Sequence, residues 1–256
     1  MEQRGKEFAL DELRALSDRT SFLAGHVSRA MQRLPRGVRE RVPRRYLELE
    51  ERRLQRLVSD WLDYEAARFE FEVLETEAER TVEIAGISLD LRLDRIDRLN
   101  DGTLLVVDYK TGSVTTKDWE LPRPNDVQLP LYASCGLKDD ERLGGLVFAS
   151  VRRGAPNQKG FAGHVGNART TLFPGLNGAK SIVKQSLAGE MIINWRNKIE
   201  SLAKDFLAGR AEADPREFPK TCERCRLETV CRISEMRSAL EEVDDESDSD
   251  AEAGDE

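Results

Sequence analysis

Leu91-Arg92-Leu93-Asp94-Arg95-Ile96-Asp97-Arg98-Leu99-Asn100-Asp101-Gly102-Thr103-Leu104-Leu105-Val106-Val107-Asp108-Tyr109-Lys110 is the stretch on which the reading turns. Asn100-Asp101-Gly102 is a hairpin-turn signal, so the segments on either side of it are expected to be antiparallel strands. Side chains two apart in a strand share a face; Asp108 and Lys110 therefore project together while Tyr109 points away. Leu104 to Val107 are all apolar, which implies a buried strand. A carboxylate at the end of such a strand is costly unless it is paired or holds a cation. Asp94, on the neighbouring strand, supplies a second carboxylate close to the first. With the Tyr109 backbone carbonyl and water, the two make a hard-oxygen site suited to Mg²⁺ or Mn²⁺. Lys110 beside that site could orient a metal-bound water or stabilise charge developing on a phosphate oxygen. The plain alternative is a surface Asp–Lys pair at a strand end, because Asp-x-Lys alone is common by chance.

Working outward, residues 71–110 are rich in Val, Ile and Leu with short-period alternation and are expected to form an antiparallel meander ending in the core strand Leu104–Lys110. Upstream, residues 7–35 have helical apolar spacing, punctuated by Pro35, Gly37 and Pro43. From Tyr46 to Phe69 the apolar positions again recur at helical spacing, with Arg and Glu between them on a face read as solvated. Downstream, Asp126 to Leu137 reads as a helix with Pro130 near its first turn. Gly145–Arg152 reads as a strand, paired with one near Phe161–Val165. Residues 180–209 read as one long amphipathic helix stopped by Gly209.

Composition bounds the class. The 256 residues are 39% hydrophobic and 34% charged, and no apolar run approaches the ~18–20 residues of a membrane span. The first thirty residues lack the apolar core of a secretory signal. Four cysteines, three of them at Cys222, Cys225 and Cys231, do not make a secreted disulfide scaffold. A cytoplasmic protein with no membrane partner is expected. The net charge of −8 misleads, because residues 241–256 hold ten acidic and no basic residues. The remainder has 38 acidic against 40 basic residues. Such a tail, part of the segment 236–256, reads as disordered. Arg33–Arg45, and Arg152-Arg153 with Lys159, are basic stretches that could face phosphates, though such residues more often only solvate a surface. No GxxxxGK[ST] signature occurs, so no ATPase is expected within the chain.

Gln128 and Tyr132 lie four apart, on one face of their helix. The amide and the hydroxyl could contact a DNA backbone or base near the metal; the plain alternative is an exposed Gln and a core Tyr. In order and spacing, LRLDRIDRL, DGTLLVVDYKTG and RPNDVQLPLYA resemble the PD-(D/E)XK nuclease superfamily, in particular RecB/AddB-type C-terminal nuclease domains, over roughly residues 45–235. The resemblance implies an α/β restriction-endonuclease-like core, a mixed central sheet flanked by helices, with a C-terminal Cys-rich appendage. It makes Asp94 and Asp108 metal ligands, Lys110 the catalytic lysine, Gln128 and Tyr132 motif residues near DNA, and Asp97 a supporting acid. The implied segments are 1–44 (N-terminal helical), 45–212 (nuclease core), 213–235 (cluster-binding) and 236–256 (tail).

Cys222-x-x-Cys225-x₅-Cys231 is spaced for zinc or an iron–sulfur cluster. The resemblance favours a [4Fe–4S] cluster that pins the chain ends together, with one Cys before the core and three after it. Cys135, in the helix after the active strand, is not where the family places that fourth ligand. A family His upstream of the core has no clear counterpart; His26 lies too close to the Tyr46 helix, and His164 reads as a residue of a Gly-flanked loop. The economical reading is a chain that begins inside a longer protein, with the first Cys and the His upstream. The function expected is that of a Mg²⁺- or Mn²⁺-dependent DNA nuclease in repair or recombination, working with a helicase partner or a missing helicase region. Two alternatives stay open: a catalytically incomplete DNA- or partner-binding module, and a zinc-binding interaction protein in which Cys135 reaches the Cys triplet.

Overall fold

A strand that is apolar on both faces needs cover on both sides, and the four apolar residues opening β3 (Leu104–Lys110) are all buried. The computed structural model describes residues 10–112, 114–138, 141–152, 160–165, 183–233 and 235. In it β3 is third in a six-stranded sheet of order β1-β2-β3-β4-β5-β6. The other strands are β1 (Phe71–Ile84), β2 (Ile87–Leu99), β4 (Leu143–Ser150), β5 (Gly160–Val165) and β6 (Val183–Ser186). The first three form an antiparallel meander. β4 then runs parallel to β3, β5 antiparallel to β4, and β6 parallel to β5. A parallel neighbour requires a crossover; the one from β3 to β4 carries α5 (Gln128–Cys135).

The remaining helices are α1 (Leu10–Ala15), α2 (Arg19–Gln32), α3 (Arg36–Arg41), α4 (Arg44–Ala66), α6 (Gly189–Leu207) and α7 (Glu228–Cys231). One sheet face, with Ile96, Val106, Leu146 and Phe148, is packed with Trp119, Leu129, Tyr132, Trp195 and Ile199. The opposite face, with Leu105, Val107, Val147, Ala149 and Phe161, receives Trp61 of α4. The protein is thus an α/β fold with a mixed sheet flanked by helices, as expected. By its internal contacts the chain divides into Met1–Ala203 and Lys204–Glu256. The first unit holds the whole sheet. The second holds the 3₁₀ turn Cys222–Arg224 and α7; the acidic tail lies outside the described residues.

Three local expectations are corrected. The long helix expected from residue 180 begins at Gly189, and Val183–Ser186 is instead a strand paired with β5. Val183 is the single apolar residue of that run, too few to set a period of its own, so tertiary pairing decides it; residues 180–182 lie outside the described residues. His164 sits in β5 opposite Leu146 rather than in a loop. The glycine before it is what admits the strand, since a Cβ on Gly163 would come 1.9 Å from the Leu146 carbonyl oxygen. The Arg- and Glu-bearing face of α4 is not wholly solvated either: Glu65 is 3% exposed, because it lies one turn beyond Trp61 on the helix face that meets the sheet.

Candidate active site

Alternation along β3 sends Asp108 to the face covered by α5 and Tyr109 to the face covered by α4. Asp108 is only 2% exposed. Its Oδ2 lies 2.8 Å from the Lys110 ammonium. Lys110 Nζ also donates to Gln128 Oε1 at 3.0 Å, and it stands 5.6 Å from the Phe148 ring centroid. Gln128 Nε2 donates to the Tyr132 hydroxyl at 3.0 Å, which donates to the Arg92 carbonyl on β2. Asp94 reaches the same corner from β2, its Oδ2 accepting the Tyr109 backbone N–H at 2.8 Å. Asp94, Asp108, Lys110, Gln128 and Tyr132 therefore occupy one connected corner at the C-terminal end of β3.

The electrostatics are those of a crowded acidic site. Burial is the main cause that raises the Asp108 carboxyl above its usual range; the Lys110 hydrogen bond works against it, while Asp94 and Asp126 push the same way as burial. For Lys110 burial opposes the charge, but the hydrogen bond to Asp108 and the fields of Asp108, Asp126 and Asp94 outweigh it and raise the amine. Asp126 was not singled out by sequence reasoning. It accepts the Gln128 backbone N–H at 2.9 Å, so it fixes the start of α5 and the side chain that holds Lys110. An acidic residue just ahead of a helix is a start signal that could have found it.

Behind the strand lies a buried ion cluster. Asp97 is fully buried and accepts Arg95 Nε at 2.5 Å and Arg68 Nη1 at 3.0 Å. Glu65 accepts Arg68 Nη1 at 2.7 Å and Arg95 Nη1 at 3.0 Å. Arg95 Nη1 also donates to the Tyr109 hydroxyl at 2.8 Å. Arg95 and Tyr109 alternate with Asp94 and Asp108 along the two paired strands, so the cluster ties together, from behind, the strands that carry the front-face acids. Asp97 does its structural work here, away from Asp108. Burial disfavours the Arg95 cation, yet Glu65 and Asp97 overrule it and hold the guanidinium charged.

A family model described as the PD-(D/E)XK nuclease superfamily matches residues 3–232. The chain belongs to the PD-(D/E)XK nuclease superfamily. No curated protein matches it. Among solved structures, "Crystal structure of SSO0001" is 18% identical, with a TM-score of 0.33 over 83% of this chain and 95% of that one. Members of the superfamily generally use divalent metal ions, and the donor chemistry of the corner fits one. Asp108 Oδ2 is buried against the Lys110 ammonium, in the field of the Asp94 and Asp126 carboxylates. Among the described residues no group of three or more His, Cys, Asp or Glu is placed to hold a metal. An ion held by Asp94 and Asp108 would complete its shell from the Tyr109 carbonyl, water and substrate, as Mg²⁺ commonly does. The fit does not extend to sulfur: Cys222, Cys225 and Cys231 form no disulfide, and among the described residues they are not gathered into such a group. Cys135 is half-buried on α5 and packs against the core. His26 is exposed on α2, its ring 4.8 Å from that of Phe22.

Proposed function

We propose that this superfamily member is a divalent-metal-dependent deoxyribonuclease of the RecB/AddB type, hydrolysing phosphodiester bonds in repair or recombination alongside a helicase. The observation that carries the chemistry is the Lys110 ammonium, held between Asp108 and Gln128 beside Asp94. Asp94 and Asp108 would hold the metal, with the Tyr109 carbonyl. When bound, the ion supplies Lewis acidity and a more acidic water. The protein's own contribution is orientation and charge. Lys110 is braced on two sides, so its ammonium can stand against a phosphate oxygen as negative charge develops, without reorganising. Gln128 fixes Lys110, Asp126 fixes Gln128, and Tyr132 ties this helix to β2 through the Arg92 carbonyl. An iron–sulfur cluster on the Cys triplet rests on family resemblance alone, and iron and sulfide analysis of the purified chain tests it.

A second reading, a module that grips DNA without cutting, is favoured by the lack of a three-donor metal group among the described residues. Both readings meet one experiment. The purified chain is incubated with end-labelled single- and double-stranded DNA in Mg²⁺, in Mn²⁺ and in EDTA, while Mn²⁺ binding is followed calorimetrically for the wild type and Asp108→Asn. Metal-dependent cutting, with weaker Mn²⁺ binding by the variant, supports the nuclease. DNA binding without cutting under any metal supports the module.

A further inference from the structure

Residues 29–45 hold seven arginines and one glutamate. Apart from the tail 241–256, the rest of the chain has 40 basic and 38 acidic residues, so this short segment is the main concentration of positive charge in a nearly balanced body. The fold puts it in a particular place. Arg19, opening α2, pairs with Asp63 near the end of α4, and α2 packs along α4. The two helices form an antiparallel hairpin whose far tip is α3.

α4 meets the sheet only through its C-terminal half. Its buried residues are Leu57, Trp61 and Glu65, and the Trp61 ring is 6.0 Å from that of Tyr109. Leu57 and Asp60 border a small pocket with Ser150 and Arg152, at the strand end where Val151 N–H donates to the Lys110 carbonyl at 2.9 Å. The part of α4 before Leu57 therefore runs on for about 20 Å at 1.5 Å per residue, past the C-terminal end of β3 that carries Lys110.

We propose that this overhanging tip of the α2–α4 hairpin is a docking surface for the phosphate backbone of DNA beside the catalytic corner. The proposal deepens the nuclease reading and rests on it for the identity of the substrate. Charge complementarity selects the occupant. The side chains of Arg36, Arg44 and Arg45 are 85%, 93% and 70% exposed. Their partners Glu40 and Glu48 lie three or four residues away in solvated pairs, which hold such side chains weakly. Every cation in the segment is Arg, whose planar fork binds phosphate oxygens bidentately. Tyr46, 60% exposed beside Arg45, offers a ring for a sugar or base. An anionic membrane is the competing partner, but residues 36–45 carry only Val38 and Val42 as apolar side chains besides Pro43, too few for a face that sinks into lipid.

The test measures fluorescence anisotropy of the full chain on labelled duplex DNA with a single-stranded overhang, in EDTA, between 50 and 200 mM salt. Arg36→Gln/Arg44→Gln/Arg45→Gln is compared with the equally discharged Arg98→Gln/Arg196→Gln/Arg210→Gln, both checked by circular dichroism. The hairpin variant is expected to bind at least tenfold more weakly at 100 mM salt. Its log–log salt slope should be shallower by about 2–3, near 0.9 per lost phosphate contact, and the control should differ from wild type far less. Equal effects in both variants, no effect of the hairpin variant, or no DNA binding by the wild type would each overturn the surface. So would arginine-dependent binding to phosphatidylserine vesicles with none to DNA. The same proteins are assayed for cutting in Mg²⁺. A changed slope without wild-type cutting removes the nuclease reading and leaves the surface; cutting with an unchanged slope does the reverse.

Discussion

Asp97 and Arg98 are neighbours on β2, yet they contribute very differently to stability. Asp97 is fully buried between two guanidiniums, whereas Arg98 is half-exposed in a pair with Glu72. Asp97→Ala would leave buried positive charge uncompensated and is expected to cost about 3–5 kcal/mol; Arg98→Ala should cost under about 1 kcal/mol. Urea unfolding of the two variants checks the contrast. Glu65 adds a pH signature. Burial pushes its carboxyl up, but Arg68 and Arg95 outweigh this and hold it below its ordinary value of 4.5. A depressed carboxylate contributes stability that is fully present above that ordinary value and is lost as pH falls through the lower folded value. Thermal melts from pH 6 to 3 should therefore show Tm falling below about pH 4.5, with a smaller fall in Glu65→Gln. At this scale the sequence was legible where side-chain alternation alone decided the matter, as for Asp108, Tyr109 and Lys110. It was not legible for Glu65 and Arg68, because a charge is read as solvated until its partners on a distant strand are known.

At the scale of elements, the hairpin at Asn100–Gly102 announced itself, and Gly102 takes φ +77° there. The longer β1–β2 hairpin did not. It turns at Ala85 and Gly86, with φ of 50° and 87°, a conformation usually signalled by Asn-Gly or Asp-Gly. Alanine carries a steric penalty at positive φ, so Ala85→Asn is expected to stabilise the protein by about 0.5–1 kcal/mol. Thermal unfolding should show a rise of about 1–4 °C. The same logic explains Val183–Ser186, where Val-Lys-Gln-Ser carries too little apolar pattern to set a period and pairing with β5, far away in sequence, decided the outcome. The strands flanking the site were readable because Leu104 to Val107 is too uniformly apolar for anything but a buried element. Asp126 was missed because its role is to start α5, a local duty that looks the same whether or not a site lies beside it.

For the whole molecule, charge is distributed rather than summed. The net −8 conceals a body of 40 basic and 38 acidic residues, with ten acids in residues 241–256. A segment of that charge competes with phosphate for basic surface and repels DNA through solvent. Deleting residues 241–256 is expected to tighten DNA binding several-fold at 50 mM salt and less at 200 mM, where screening is stronger; anisotropy titrations at the two salt concentrations check this. The candidate active-site corner depends on the whole fold in turn. Its acids come from β2 and β3, its lysine is braced by α5, and its strands are tied from behind by α4 and the ion cluster.

In the proposed nuclease, Lys110, held by Asp108 and Gln128, acts on the phosphate being cut. The most direct measurement is single-turnover cleavage of end-labelled DNA in saturating Mg²⁺ by the wild type and Lys110→Ala, with the DNA affinity of each measured in EDTA. Metal-dependent cleavage by the wild type is expected, with a loss of at least about 100-fold in the variant and affinities within about threefold of each other. Cleavage by Lys110→Ala at the wild-type rate would rule out this role for the lysine.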